Sequence, residues 1–462
     1  MSGETSQCRI KSDSRWQKLC SHQPSKEFMT ANAFRFPAII VGCIWAVIFA
    51  ANLVLYPLLP VPPSGFVLGF CGLGVLLILF PSLIPIQNSC DAEPMLFKSL
   101  SEWFGKRANW FSVGAVILIV LGTSIDFSLT GFQFEALNLA DVRESHLVEG
   151  IEFSPLRYVS LTCKSLGLLG LAYIIVTQAP APVMVGAFAI ALLGGIIDSS
   201  SYGGRAFIRI TLSLTASGLM LGSASWILKH RARVFTGGLI SLGALIVAAV
   251  WFNRIRNSNI NAYLMTSRDG AIMLDALGFG AAPSDVAYGF GLVVGYLFTP
   301  IGYLDHFLSV HSMEPLCGAF TFPTISARFG FDWLTVKEFV DGYYYDVGIT
   351  YNIWATAFRE LILDTGIWGF LPTCALIGVI LRALRIASKN NPGALLLTVF
   401  IFAWLLNSPF ESMMKVRYFE FAVFLSICIT LASSVYKQVA PTRTPQQIDV
   451  GQAPDCFGIN QP

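Results

Sequence analysis

Apolar runs of roughly 15–23 residues recur along this chain, each about as long as a helix must be to cross a bilayer core. Lipid gives the backbone no hydrogen-bond partner, so such runs must fold as helices that satisfy their own N–H and C=O groups. Strand-length alternation is absent, which argues against a β-barrel. Charge is scarce to match: Asp, Glu, Lys and Arg make up 13% of 462 residues, against about 25% in a soluble domain. The expectation is an all-α fold. It is a polytopic integral membrane helix bundle of about ten spans (about ten to twelve with the ambiguous segments), carrying one large, partly helical periplasmic loop.

The expected spans are 38–56, 66–84, 110–125, 158–177, 183–197, 206–228, 235–251, 367–384, 394–406 and 418–435. The fifth and ninth are short and read as tilted or partly re-entrant. Lys and Arg of short loops collect on the cytoplasmic side of a membrane. The basic N-terminus, Lys98/Lys106/Arg107, Lys229/Arg231/Arg233, Arg382/Arg385/Lys389 and Lys437/Arg443 all fall on one side of this arrangement, which places both tails in the cytoplasm. The chain then divides into a cytoplasmic tail at 1–36, seven spans in 37–252, a large periplasmic loop at 253–366, three spans in 367–436 and a cytoplasmic tail at 437–462. The polar stretch before Ala38 is too long for the n-region of a cleavable signal. The apolar segment 286–308 reads as interfacial or re-entrant, because a full span there would turn Arg382–Lys389 outward against the charge rule.

Several chemistries find no support. The ten cysteines form no CxxC or His/Cys cluster, so neither a disulfide framework nor a metal site is expected. A net charge of +2 without a basic-aromatic patch gives no reason to expect nucleic acid. No phosphate-binding glycine loop, paired-Asp metal motif, nucleophile elbow or ATPase signature occurs.

Ionisable groups at membrane depth are costly and mark function by default. Asp198-Ser-Ser-Ser-Tyr-Gly-Gly-Arg205-Ala-Phe-Ile-Arg209 places a tight turn before a helix whose first residues include two arginines, one turn apart on one face. Two guanidinium forks at a helix N-terminus suit a phosphate or pyrophosphate. The alternative is that both snorkel to lipid headgroups. Lys164 lies inside the fourth span and either snorkels outward or meets Asp126 or Asp198 in a polar cavity. Arg143, Arg157, Arg254, Arg256, Arg268, Arg328 and Arg359 add an Arg-rich outer surface that is either plain solvated charge or a mouth for an anionic lipid-linked substrate. His306 and His311 are candidates for a general base or for ordinary loop histidines. Tyr343, Tyr344, Tyr345 and Trp354 suit either sugar stacking or an interfacial aromatic belt.

Three ordered segments carry a resemblance. They are Ser201-Tyr-Gly-Gly-Arg205, the run Tyr296-Leu-Phe-Thr-Pro-Ile-Gly-Tyr-Leu-Asp305-His306-Phe-Leu308, and Asn352-Ile-Trp-Ala-Thr356 followed by Asp364-Thr-Gly366-Ile-Trp-Gly369. Together with the topology, over roughly 38–436, the pattern resembles the Wzy-type O-antigen (oligosaccharide repeat-unit) polymerases; Thr365 departs from it where Phe is usual. The resemblance implies a metal-independent inverting glycosyltransferase of the bacterial cytoplasmic membrane that needs no cofactor. It would move a growing glycan from undecaprenyl pyrophosphate onto a lipid-linked repeat unit, building O-antigen (the lipopolysaccharide polymer) or exopolysaccharide. Implied partners are lipid-linked oligosaccharides, membrane lipids, and a chain-length regulator and flippase of the same pathway. On that reading Arg205, Arg209, Arg268 and Arg359 face the pyrophosphate, and Tyr296, Asn352 and Thr356 bind other parts of the substrate. Asp305, His306, Glu360 and Asp364 are the candidates to accept the acceptor's proton. The rivals are an O-antigen ligase-like enzyme and a non-catalytic polysaccharide or lipid transporter. A transporter would carry polar residues along several spans and internal repeats, and the chain lacks the repeats.

Overall fold

The computed structural model describes residues 35–59, 61–84, 95–130, 154–177, 179–202, 206–222, 260–280, 283–310, 315–319, 321–322, 356–388, 391–410, 412–414 and 416–439, with the single positions 227, 230, 232, 236 and 326. Among them no strand occurs, and the expected all-α architecture holds. The helices are α1 (Arg35–Val54), α2 (Gly65–Leu83), α3 (Met95–Thr130), α4 (Pro155–Val176), α5 (Ala181–Tyr202), α6 (Ala206–Gly222), α7 (Ile260–Ala276), α8 (Ser284–Leu297), α9 (Thr299–Val310), α10 (Ala357–Ala387), α11 (Pro392–Asn407) and α12 (Arg417–Val439). A 3-10 turn, Tyr56–Leu58, ends the α1 segment.

By length and composition 7 of the described helices can cross a membrane, or 8 if α8 and α9, bent by 48° at their junction, count as one broken span. The protein is a multi-pass membrane protein. Nine of the ten expected spans coincide with helices, and 235–251 lies outside the described residues except at position 236. The fifth proves full-length, at 22 residues. The ninth, α11, is 16 residues and buried along nearly its whole length, so protein rather than lipid satisfies its surroundings and it has no need of full bilayer length. The eighth begins at Ala357 instead of 367. That extra length carries Arg359, Glu360 and Asp364 out of the expected loop and onto a helix.

The packing follows from small residues. In α3 and α4 a Cβ on Gly122 would fall 2.7 Å from Ser160 O, and one on Gly170 would fall 2.8 Å from Ser112 O. In lipid the hydrophobic effect does not drive helices together, so such close backbone approach is what holds them. On α5, Gly194 admits Ile119 of α3 in the same way. The α2–α10 contact has a different origin. Pro81 lacks the N–H that would satisfy the Leu77 carbonyl, and Gly378 of α10 lies over that carbonyl, where a Cβ would come within 2.3 Å of it. At the C-terminus of α2 the Arg385 guanidinium donates to the carbonyls of Ser82 (2.5 Å) and Ile84 (3.3 Å). A cation there also suits the helix dipole. Arg385, expected in a solvated cytoplasmic turn, is instead only 2% exposed.

Candidate functional site

The buried charge gathers at one end of the bundle. That end is marked where α1, α10 and α11 meet: Trp45 donates to Ser408 Oγ (3.1 Å), stacks on Phe358 at 4.8 Å, and the Ala357 amide donates to Ser408 O (2.8 Å). Of the described residues, the buried Asp, Glu, Lys and Arg are Asp126, Lys164, Asp198, Arg359, Glu360, Asp364, Glu420 and Arg385. All but Arg385 lie at this end. It holds the C-terminal ends of α3 and α5 and the N-terminal ends of α4, α6, α10 and α12.

Lys164 resolves the alternatives left open by its position. It does not snorkel outward. It is 2% exposed and its Nζ donates both to Asp198 Oδ1 (2.5 Å) and to Asp126 Oδ2. The Tyr418 ring also faces the ammonium, 5.5 Å from Nζ to centroid, a cation–π contact. Sequence reasoning named each Asp as a possible partner and the structure uses both, from two different helices. Tyr418 was missed, as was Glu420, which is 2% exposed in the first turn of α12. The signal for Glu420 was available: a carboxylate inside an apolar run. Small residues make the cluster possible. Gly122 lets α4 approach α3 one turn below Asp126, and Ser160 Oγ donates to Gly122 O (2.8 Å) while Ser165 Oγ donates to Tyr418 O (2.9 Å).

The second group lies at the start of α10. Thr356 caps the helix, its Oγ1 accepting from the Phe358 amide (3.3 Å), and is itself buried. Arg359 Nη2 stands 3.6 Å from Glu360 Oε1, and Glu360 is fully buried. Gly366 then adopts φ 71°, ψ 169°, a conformation that favours glycine. This breaks the helical ladder and frees carbonyls just before it. Those of Leu363 and Asp364 accept instead from the amides of Leu316 (3.0 Å) and Cys317 (2.8 Å), and Asp364 Oδ2 accepts from the Thr321 amide (2.7 Å). Asp364 therefore fastens the 315–321 segment to the kink.

Asp305 also has a structural task. Its Oδ1 accepts from Ser64 Oγ (2.9 Å) and its Oδ2 from the Ser64 amide, while Ser64 Oγ accepts from Val67 N–H at the start of α2. A carboxylate at a helix N-terminus is favoured by the dipole, and both oxygens are occupied. His306, next in sequence, is exposed on α9. Arg209 is half-buried in the first turn of α6, and Arg268 is exposed on α7. Tyr296 lies in α8. Arg205, Asn352 and His311 fall outside the described residues.

The arrangement offers fixed positive charge at Arg359 and Arg209, helix N-termini on α6 and α10, and carboxylates held by specific donors. Among the described residues no three of His, Cys, Asp and Glu gather as metal ligands. The chain matches no protein-family model, no curated protein and no solved structure.

Proposed function

We propose that this membrane protein is a glycosyltransferase that joins lipid-pyrophosphate-linked oligosaccharide units into a polysaccharide at the charged end of its bundle. One observation carries the reading. Among the described residues the buried Asp, Glu, Lys and Arg side chains, Arg385 apart, gather at that single end, and the polar side chains buried elsewhere in the bundle are uncharged. A transporter holds its substrate and coupling ions near the bilayer midplane, whereas chemistry at one membrane face needs its charged groups only there. The resemblance to repeat-unit polymerases supplies the reaction. The distribution of Lys and Arg among the short loops supplies the side, the periplasmic face of a bacterial cytoplasmic membrane.

On this reading Arg209 and Arg359, with Arg205 four residues before Arg209 in sequence, stabilise the negative charge that develops on the departing pyrophosphate. Guanidinium forks match phosphate oxygens two at a time, and the N-termini of α6 and α10 add dipole charge of the same sign. Asp305 and Asp364 hold backbone amides, which leaves His306 and Glu360 as the better candidates to take the acceptor hydroxyl proton. Of these His306 reaches solvent and Glu360 is sealed against Arg359.

The test is elongation by purified protein given only a lipid-pyrophosphate oligosaccharide. Products should form a ladder without nucleotide sugar or ATP, and excess EDTA should leave the ladder intact because arginine charge does the work that a divalent ion does elsewhere. Loss of the ladder on chelation, restored by Mg²⁺ or Mn²⁺, would overturn the arginine account. No elongation under any of these conditions would overturn the polymerase reading itself.

A further inference from the structure

Helices α7 and α8 form an antiparallel pair. Gly270 sets their spacing, since a Cβ there would fall 1.9 Å from Ala287 O. The turn between them runs through Gly278 (φ 85°) and Gly280 (φ 68°), left-handed positions open to glycine. This tip exposes large apolar side chains: Phe279 at 75%, Val286 at 56%, Ile272 at 55% and Leu277 at 39%. Grouped exposure of this kind marks a surface that meets something apolar.

The side of the pair packed against the end of α1 shows what that is. Met273 of α7 and Val294 of α8 pack with Leu59, flanked by Leu55 and Leu58, where the chain leaves α1. The last turn of α1 is part of a membrane span and presents Leu53 (65%) and Val54 (72%) outward, followed by Tyr56 (47%). Leu277 follows Met273 by about one turn. The apolar tip thus continues the strip that α1 shows to lipid. The bent pair α8–α9 is apolar enough to lie in a membrane in its own right, as a broken span or a re-entrant element.

We propose that the tip carrying Leu277, Phe279 and Val286 seats in the bilayer, and that its partner is the acyl boundary of the leaflet beside α1. The acidic residues set the depth. Asp275 and Asp285 are exposed on either side of the turn, and carboxylates resist the acyl core. Phe279 therefore enters the upper acyl region while the two carboxylates stay among the headgroups. Arg268 is exposed one helical turn before Ile272 on the same face, where a guanidinium reaches headgroup phosphate. The inference stands apart from the glycosyl-transfer reading and needs no catalytic activity.

The experiment replaces Phe279 with the photoreactive p-benzoylphenylalanine in full-length protein reconstituted into phospholipid nanodiscs. Irradiation should add the mass of one phospholipid at position 279, as it should for the same substitution at Leu76, which is 63% exposed on α2. The same group at Val286 gives a second reading from the other side of the turn. The proposal falls if Leu76 gives a lipid adduct and neither 279 nor 286 does. It also falls if the adduct at 279 carries a second copy of the chain, which would make the tip an interface between copies.

Discussion

Lys164 sits where an unpaired ammonium would be intolerable, and two carboxylates from neighbouring helices make it tolerable. Removing one member of a buried ion cluster leaves uncompensated charge and costs about 3–5 kcal/mol. Lys164→Met should therefore lower the unfolding free energy in detergent by about that amount. The double variant Lys164→Met/Asp198→Leu should lose less than the sum of its parts, because the two residues interact directly. Strict additivity would show that the contact carries no energy of its own. Asp305 invites a different comparison. Its oxygens serve Ser64 and the start of α2, so Asp305→Ala should cost about 0.5–2 kcal/mol, in the range of a lost helix cap. The Asp305→Asn protein, once folded, should still elongate lipid-linked oligosaccharide. Abolished elongation with an unchanged unfolding midpoint would restore Asp305 to the reaction.

At the scale of elements, two helix contacts depend on glycine for opposite reasons. Gly378 admits the Leu77 carbonyl that Pro81 leaves unsatisfied, and a methyl group there has nowhere to go. Gly378→Ala should push α10 from α2 and destabilise by about 1–3 kcal/mol, as overpacking does. Gly69→Ala on the same α2 helix meets no atom within 4 Å and should be neutral or slightly stabilising in thermal unfolding. Equal effects from the two would mean that the α2–α10 contact is looser than the backbone indicates. The kink at Gly366 is the second case. It interrupts α10 where the amides of Leu316 and Cys317 can donate to the freed carbonyls and that of Thr321 to the Asp364 carboxylate. The helix break and the attachment of that segment are one event.

For the whole molecule, the proposed orientation turns the charged end away from the cytoplasm. Cys317 is exposed within the 315–319 segment at that end, whereas Cys43 and Cys428 are exposed on spans that face lipid. A membrane-impermeant thiol reagent applied to intact cells should label Cys317, and Cys317→Ser should remove that labelled peptide. Labelling of Cys317 only after lysis would place the charged end in the cytoplasm and reverse the proposed orientation.

The apolar runs alone determined that this chain is a helical membrane protein and where most of its helices lie, because a bilayer leaves the backbone no other way to satisfy itself. They also placed Lys164 at depth, with two candidate partners. Periodicity did not locate the start of α10, since Thr356 caps a first turn that mixes charged and apolar residues and then buries them all. Partner choice lay beyond sequence as well. Lys164 is 38 residues from Asp126 and 34 from Asp198, and only the close approach of α3, α4 and α5 decides that it meets both. Asp305 and Arg385 read as solvated or catalytic charges, yet each ends up at one terminus of α2, separated from it by 241 and 303 residues. Lipid sets the length and apolarity of each span through local composition. Which charge satisfies which helix end depends on distances between segments far apart in the chain, and those exist only once the bundle has packed.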